Sequence, residues 1–219
     1  LCQQAPIFEL PPAMPNTGTW SGEGLSGSNS FDPSLPAGEY PLTYTVTDDQ
    51  GCQGQETLTV TILPLPEVGF SAPDLTCINT TFTIDNQSDN NIQFNWTFNN
   101  QGSSTAFAPS FAFSEPGVFT IDLTGTDAAG CSASAQQEIQ VEGPPQADVN
   151  LSVEDGCGPL SLEFANQSQA YAPSFLWDFG NGAIATEAEP TSPQVYAPGL
   201  EDTTYLVQLW VDNLCGSDY

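Results

Sequence analysis

Apolar and polar residues alternate in short runs along this chain. In Phe175-Leu-Trp-Asp-Phe179 the aromatics share a parity, so an extended strand sets Phe175, Trp177 and Phe179 on one face. Gly180, Asn181 and Gly182 follow, and the glycines supply the positive φ that a tight reversal needs. The same pattern recurs, altered, as Phe94-Asn-Trp-Thr-Phe98 ahead of Asn99, Asn100, Gln101 and Gly102. A longer run places Tyr40, Leu42, Tyr44 and Val46 on one side and Pro41, Thr43, Thr45 and Thr47 on the other. Further strands are predicted near 57–62, 68–71, 81–86, 92–98, 107–113, 118–126, 135–141, 147–153, 160–166, 175–179 and 204–212. No apolar stripe of helical period extends over ten residues, so no helix is predicted. Short strands rich in Val, Thr and Phe, with frequent Gly, Pro, Asn and Asp turns, argue for all-β sandwiches.

Two proline-bearing stretches, Leu63-Pro-Leu-Pro66 and Gly143-Pro144-Pro145, read as linkers, because proline breaks strand pairing and favours an extended join. They divide the chain into segments 1–65, 66–144 and 145–219. The segments echo one another. Cys77 stands nine positions before Asn86 and Cys157 nine before Asn166, and each asparagine opens an Asn-Gln-Ser triplet. Gly38 stands fourteen positions before Cys52, as Gly117 does before Cys131. Such matching offsets indicate three repeats of one fold.

The six cysteines are Cys2, Cys52, Cys77, Cys131, Cys157 and Cys215. There is no CxxC and no histidine, so a zinc site is not indicated, and an even count in such a chain suggests disulfides and an oxidising compartment. Six cysteines allow fifteen pairings. The repeat suggests Cys2–Cys52, Cys77–Cys131 and Cys157–Cys215, one bond closing each domain. Loops of that size should contribute roughly 4 kcal/mol each in the chain-entropy model.

Charge narrows the functional classes. The 219 residues include 27 carboxylates and no Lys, Arg or His, for a formal charge of −27. No ion pair between side chains can form. Nucleic acid and anionic membranes would repel the chain, cations would be attracted, and proteases that cut after Lys or Arg find no site. No run is apolar enough for membrane insertion. Without His or Lys there is no base to activate a serine nucleophile, and the cysteines read as structural, so an enzyme is not expected.

The run Trp177-Asp-Phe-Gly-Asn-Gly182, followed by Val195-Tyr196, Pro198-Gly199 and Thr204-Tyr205-Leu-Val-Gln-Leu209, resembles the PKD domain. That family carries a tryptophan-aspartate-phenylalanine-glycine-aspartate-glycine motif; here Asn181 stands for the second aspartate. The middle repeat keeps Trp96, Phe98, Pro116-Gly117 and Asp127 but departs at Thr97 and Asn99. The first segment lacks the motif. With Gly18-Thr-Trp-Ser-Gly22 it resembles Ig-like repeats that accompany PKD domains in large secreted proteins of Bacteroidetes-type bacteria. The resemblance implies an Ig-like sandwich at 1–65, its first strand missing, and PKD-like sandwiches at 66–144 and 145–219, the last strand of the third missing. Three such sandwiches in tandem form a rod. It further implies an extracellular, cell-surface or secreted setting and a non-catalytic structural or adhesive role.

Several residues are candidates for that role. Ca²⁺ takes carboxylate and carbonyl oxygens, and Asp48, Asp49, Asp127, Asp178, Asp202 and Asp212 sit in or beside turns. Each read singly is more simply a solvated turn carboxylate. The linker acids Glu67, Glu142 and Asp148 could bridge adjacent domains through the same ion. With Tyr205, Val207, Leu209 and Val211 facing inward, Leu206 and Trp210 point outward and are candidates for contact with another domain, a copy of the chain, or a glycan. Neighbouring domains or copies of the same chain are the expected partners. Two alternatives to a surface or adhesin segment remain: a self-assembling filament subunit with strands donated between neighbours, and a spacer of a secreted hydrolase.

Overall fold

The computed structural model describes residues 1–99, 101–152, 159–171, 173–191, 193–198 and 203–219. Among them every regular element is a β-strand. The chain divides into two compact units. One comprises Leu1–Ser71, Asp85–Pro109 and Asp122–Gln136; the other comprises Ala72–Ile84, Ser110–Ile121 and Gln137–Tyr219. The middle repeat contributes to both, because its long strands Gly117–Thr126 and Ser132–Glu142 run from one into the other.

In the first unit, Gly38–Thr47 and Gln53–Ile62 form a ten-rung antiparallel hairpin, from Gly38 opposite Ile62 to Thr47 opposite Gln53. Thr19–Ser21 extends it at the other edge of Gly38–Thr47. The inward parity is as the sequence predicts, with Leu42 and Tyr44 buried between partly covered threonines. Phe8–Glu9 pairs with Ser30–Phe31, and Leu10, Phe31, Leu42, Val60 and Ile62 make the core. The same unit holds Gln93–Phe98, paired with Ser103–Ser104, and the fully buried Trp96, whose indole N–H donates to the Ala106 carbonyl at 2.9 Å.

In the second unit, Ser174–Asp178 lies between Ile184–Ala185 and Gln208–Asn213, and Gly216–Asp218 completes the four-stranded sheet. Trp177 and Phe179 stack with centroids 5.8 Å apart in a core with Phe164, Tyr196, Leu209 and Val211. The Trp177 indole N–H donates to the Glu187 carbonyl at 3.1 Å, ten residues on, just as Trp96 does to Ala106. Gly180 answers for itself: its φ is +70°, and a Cβ there would collide with the Leu206 carbonyl.

The Asn-Gln-Ser triplets turn out to fasten the first strand of their repeats. The Asn86 amide donates to the Phe107 carbonyl, Ser88 N–H donates back to Asn86, and the Ser88 hydroxyl exchanges bonds with the Gly69 backbone. Asn166, Ser168 and Asp148 repeat this, with the Ala188 carbonyl as acceptor. Asn86 is 8% exposed. A buried, bonded amide of this kind is a structural clasp.

Four expectations change, one of them the run near 160–166, which is two strands: Leu160–Leu162 pairs with Gln194–Tyr196 and Phe164–Asn166 with Val149–Leu151. The single strand near 81–86 is two: Phe82–Thr83 pairs with Ser110–Phe111, and Asp85–Asn86 pairs with Phe70–Ser71. Likewise the first strand of the middle repeat changes partners at Pro73, which cannot donate to a ladder, so Leu75–Cys77 runs parallel to Gln140–Glu142. The largest change concerns the disulfides, which do not close each domain. Cys2 bonds Cys131 and Cys77 bonds Cys215, while Cys52 is an exposed free thiol. Cys157 lies outside the described residues. Geometry explains the correction. Cys2 bridges Leu63, at the far end of the Gln53–Ile62 strand from Cys52. Ten residues at ~3.3 Å each separate them by roughly 30 Å, whereas bonded cysteines need Cα atoms within about 7 Å. In the middle repeat Cys77 sits opposite Glu142, again at the other end of its strand from Cys131.

Tyr196 tests the third repeat's core. Its hydroxyl donates to the Phe179 carbonyl at 2.8 Å. Burial, and then the neighbouring Tyr205, raise its pKa above the ordinary 10.0. A raised folded-state pKa gives stability that is complete below the unfolded value and is lost as pH rises through the folded one. Tyr196→Phe should cost about 1 kcal/mol near neutral pH and remove this residue's share of the alkaline loss. Urea denaturation at pH 7 and pH 11 measures both.

Candidate functional site

Two recurring arrangements lie where one repeat meets the next, and each falls inside one compact unit. Each is built from three parts: a hairpin turn with its cysteine, the proline-bearing linker, and the loop that leads into the tryptophan strand.

In the first unit the turn is Asp127-Ala-Ala-Gly-Cys131. The Asp127 carboxylate accepts the N–H groups of Ala129 and Cys131 at 2.9 and 2.8 Å, Asp127 N–H donates to the Cys131 carbonyl, and Gly130 takes φ +86°. Asp127 therefore shapes the turn that presents Cys131. That cysteine is fully buried and bonded to Cys2, with Cα atoms 5.3 Å apart. Pro64, Leu65 and Pro66 line an open cleft with Asp89–Ile92 and Asp127. Glu67 N–H donates to the Asp89 carboxylate, and Asp89 N–H donates to the Glu67 carbonyl.

The second unit repeats the plan. Asn213 accepts the Cys215 N–H at 2.8 Å, and its amide donates to the Gly143 carbonyl of the linker at 3.0 Å. Cys215 bonds Cys77, Cα atoms 5.4 Å apart. The linker Gly143-Pro144-Pro145 borders a groove with Ile78, Gln169, Tyr171 and Asp218. Asp218 accepts the Ala147 N–H at 2.8 Å. In both units an early-strand cysteine of one repeat reaches the turn cysteine of the following repeat.

The turn of the first repeat, Asp48-Asp-Gln-Gly-Cys52, has the same build as that of the middle repeat. Asp48 accepts the N–H groups of Gln50 and Cys52 at 2.9 and 2.8 Å, Asp48 N–H donates to the Cys52 carbonyl, and Gly51 takes φ +85°. Here the cysteine is exposed.

The acids expected to hold Ca²⁺ are scattered. Asp48 and Asp127 cap their turns as described, and Asp178 accepts the Gly180 N–H at 2.9 Å. Asp49 and Asp212 are exposed, and Asp202 lies outside the described residues. Among the described residues no three acidic or cysteine side chains converge on a point where an ion would sit. The linker acids are equally dispersed: Glu67 bonds Asp89, and the Glu142 carboxylate accepts the Gln140 amide. Trp210 lies opposite Leu176 on the outer face of the third repeat's sheet and is half-buried, while Leu209 and Val211 face the core. Leu206 is 70% exposed beside Val149 and Tyr219. Sequence reasoning did not find the role of Asn86 and Ser88 as clasps, although their recurrence at a fixed distance from cysteine was visible.

Residues 64–143 match the PKD domain. This PKD segment includes the Pro64–Pro66 linker, Trp96 and both long strands. Over 101 residues the chain is 33% identical to a protein named pre-pro-metalloprotease PrtV, in two strains of Vibrio cholerae serotype O1. The aligned stretch is 44% of this chain and 11% of the relative, so the chain spans about a tenth of the curated relatives it matches. Among solved structures it is similar to Sidekick-1 immunoglobulin domains 1–4, at 11% identity and a TM-score of 0.40, covering 100% of this chain and 70% of that one. It is also similar to protocadherin gamma B7 cadherin domains 1–4, at 14% identity and a TM-score of 0.31, covering 98% and 65%.

Stability should separate the bonded cysteines from the free one. Replacing Cys77 and Cys215 together by serine opens a loop of sequence separation 138, worth about 5 kcal/mol in the chain-entropy model. Cys52→Ser should stay within about 0.5 kcal/mol of the parent, as surface changes do. Urea denaturation of the two variants checks the contrast.

Proposed function

We propose that the chain is a non-catalytic extracellular module of a longer repetitive protein, and that its work is to hold successive Ig-like repeats together under load. The observation that carries this reading is the interleaving of the two disulfides. Cys77 lies inside the loop closed by Cys2–Cys131, and Cys131 lies inside the loop closed by Cys77–Cys215. Three chain segments therefore run between the two bonds: Cys2 to Cys77, Cys77 to Cys131, and Cys131 to Cys215. Tension applied at the ends is shared among them, and the shortest limits the extension. An oxidising setting agrees with such bonds. A surface without basic side chains suits a protein that works in solution outside the cell and resists proteases that need Lys or Arg. Adhesion would act through the exposed outer faces, with Leu206 and Trp210 as the contact residues.

A second reading, a spacer within a secreted hydrolase, is favoured by the relative named as a metalloprotease. A protease domain encoded in the same gene would distinguish it.

Single-molecule stretching from the two ends tests the mechanical role. With both bonds intact the limit is the Cys77–Cys131 segment, about 200 Å at ~3.5 Å per residue. After reduction the same chain should extend to about 750 Å. Equal extension in the two states would contradict a load-sharing role.

A further inference from the structure

The linker between the middle and third repeats lines an open groove of about 870 Å³, all of it within the second unit. Pro144, Pro145, Ile78, Pro116 and Tyr171 supply its apolar surface. The groove stands on fixed backbone. Gln146 and Gln169 exchange N–H···O bonds at 3.0 Å, which ties the segment leading to Tyr171 onto the linker. Ile78 N–H donates to the Glu142 carbonyl at 2.8 Å, which sets the end of the last strand beside it. Tyr171 is 52% exposed, so its ring is open to a partner.

The charge of this groove is one-sided. Pro144 and Pro145 offer carbonyl oxygens and no N–H. Glu142 and Asp218 add carboxylates, which only accept. Each is oriented by a bond from within the chain: the Gln140 amide donates to Glu142, and Ala147 N–H donates to Asp218. No side chain of the 219 residues is basic, so none can neutralise them. The first unit repeats this chemistry, where Pro64, Pro66, Asp89 and Asp127 line the corresponding cleft. There Asn90 stands six positions before Trp96, as Tyr171 stands six before Trp177. Only the second of these clefts has the aromatic ring at that position.

We propose that the groove at the second linker docks an arginine-bearing extended segment of another protein. A guanidinium carries donors and no acceptor, which complements carboxylates and proline carbonyls. It is also planar, so it can lie on the Tyr171 ring while its edge donates to oxygen. An extended segment fits a shallow groove walled by prolines and an aromatic ring. The occupant is not a second copy, because this chain has no cationic side chain and two copies at −27 repel each other. The same net charge draws a basic partner in. This adds a docking surface to the load-bearing module and does not depend on which cysteines are joined.

The test is fluorescence anisotropy of a short labelled peptide of alternating arginine and proline, titrated with the purified 219-residue chain. Salt is held near ~0.15 M, where a Debye length of about 8 Å screens diffuse attraction. The comparison peptide carries citrulline, which is neutral and similar in shape, in place of arginine. The arginine peptide should bind at least about tenfold more tightly, a difference of roughly 1.4 kcal/mol. Tyr171→Ala should weaken it at least about threefold. Glu142→Gln with Asp218→Asn should weaken it about tenfold and keeps the acceptors that the internal bonds use. Glu39→Gln with Glu56→Gln, the same change of charge on the exposed hairpin of the first repeat, should stay within about twofold. Absence of binding overturns the proposal. So do a citrulline peptide that binds as tightly, a Tyr171→Ala variant that binds as the parent does, and equal losses from the two charge-removing pairs, since the attraction would then be diffuse. Extension of the stretched chain reads the load-sharing role separately, so either reading can fail alone.

Discussion

A chain with no basic side chain has no ion pair between side chains with which to join one sandwich to the next. Its junctions depend on backbone hydrogen bonds, apolar contact and covalent bonds, and the covalent bonds are decisive because of where each repeat keeps its cysteines. One sits beside the last strand's end, at Cys2 and Cys77, and one sits in the hairpin turn at the opposite end, at Cys52, Cys131 and Cys215. Cysteines held a strand's length apart cannot meet within a repeat. They meet only where the end of one repeat adjoins the turn of the next.

Two of the carboxylates have a direct part in this scheme. Asp48 and Asp127 spend their oxygens on the N–H groups of the turns that aim the cysteines, and Asn213 does the same in the third repeat. Asp48 and Asp127, candidate Ca²⁺ ligands in the sequence, give the turn cysteines their direction.

Much of the fold was legible in the sequence. Period-two alternation located the long strands, and the buried Trp96, Trp177, Leu42 and Val211 lie on the faces that parity assigned. The recurring offsets from cysteine to Asn-Gln-Ser and from glycine to cysteine reflected real equivalences, down to the paired Asn86 and Asn166 clasps. The disulfide pairing was not legible. Proximity in sequence favours Cys2 with Cys52, and nothing in the alternation says that the early strand runs parallel to the last one and ends at its far end. The break of the 81–86 run was hidden for a related reason: Phe82 and Ile84 are both buried, so parity continues smoothly while the pairing partner changes.

How the repeats are held together depends on which cysteines are joined. The most direct measurement is mass spectrometry of the oxidised chain after non-reducing digestion with a protease that cuts beside acidic residues, with free thiols alkylated beforehand. It should yield one linked pair containing Cys2 and Cys131, another containing Cys77 and Cys215, and an alkylated Cys52. Linked peptides containing Cys2 with Cys52, or Cys77 with Cys131, would contradict it.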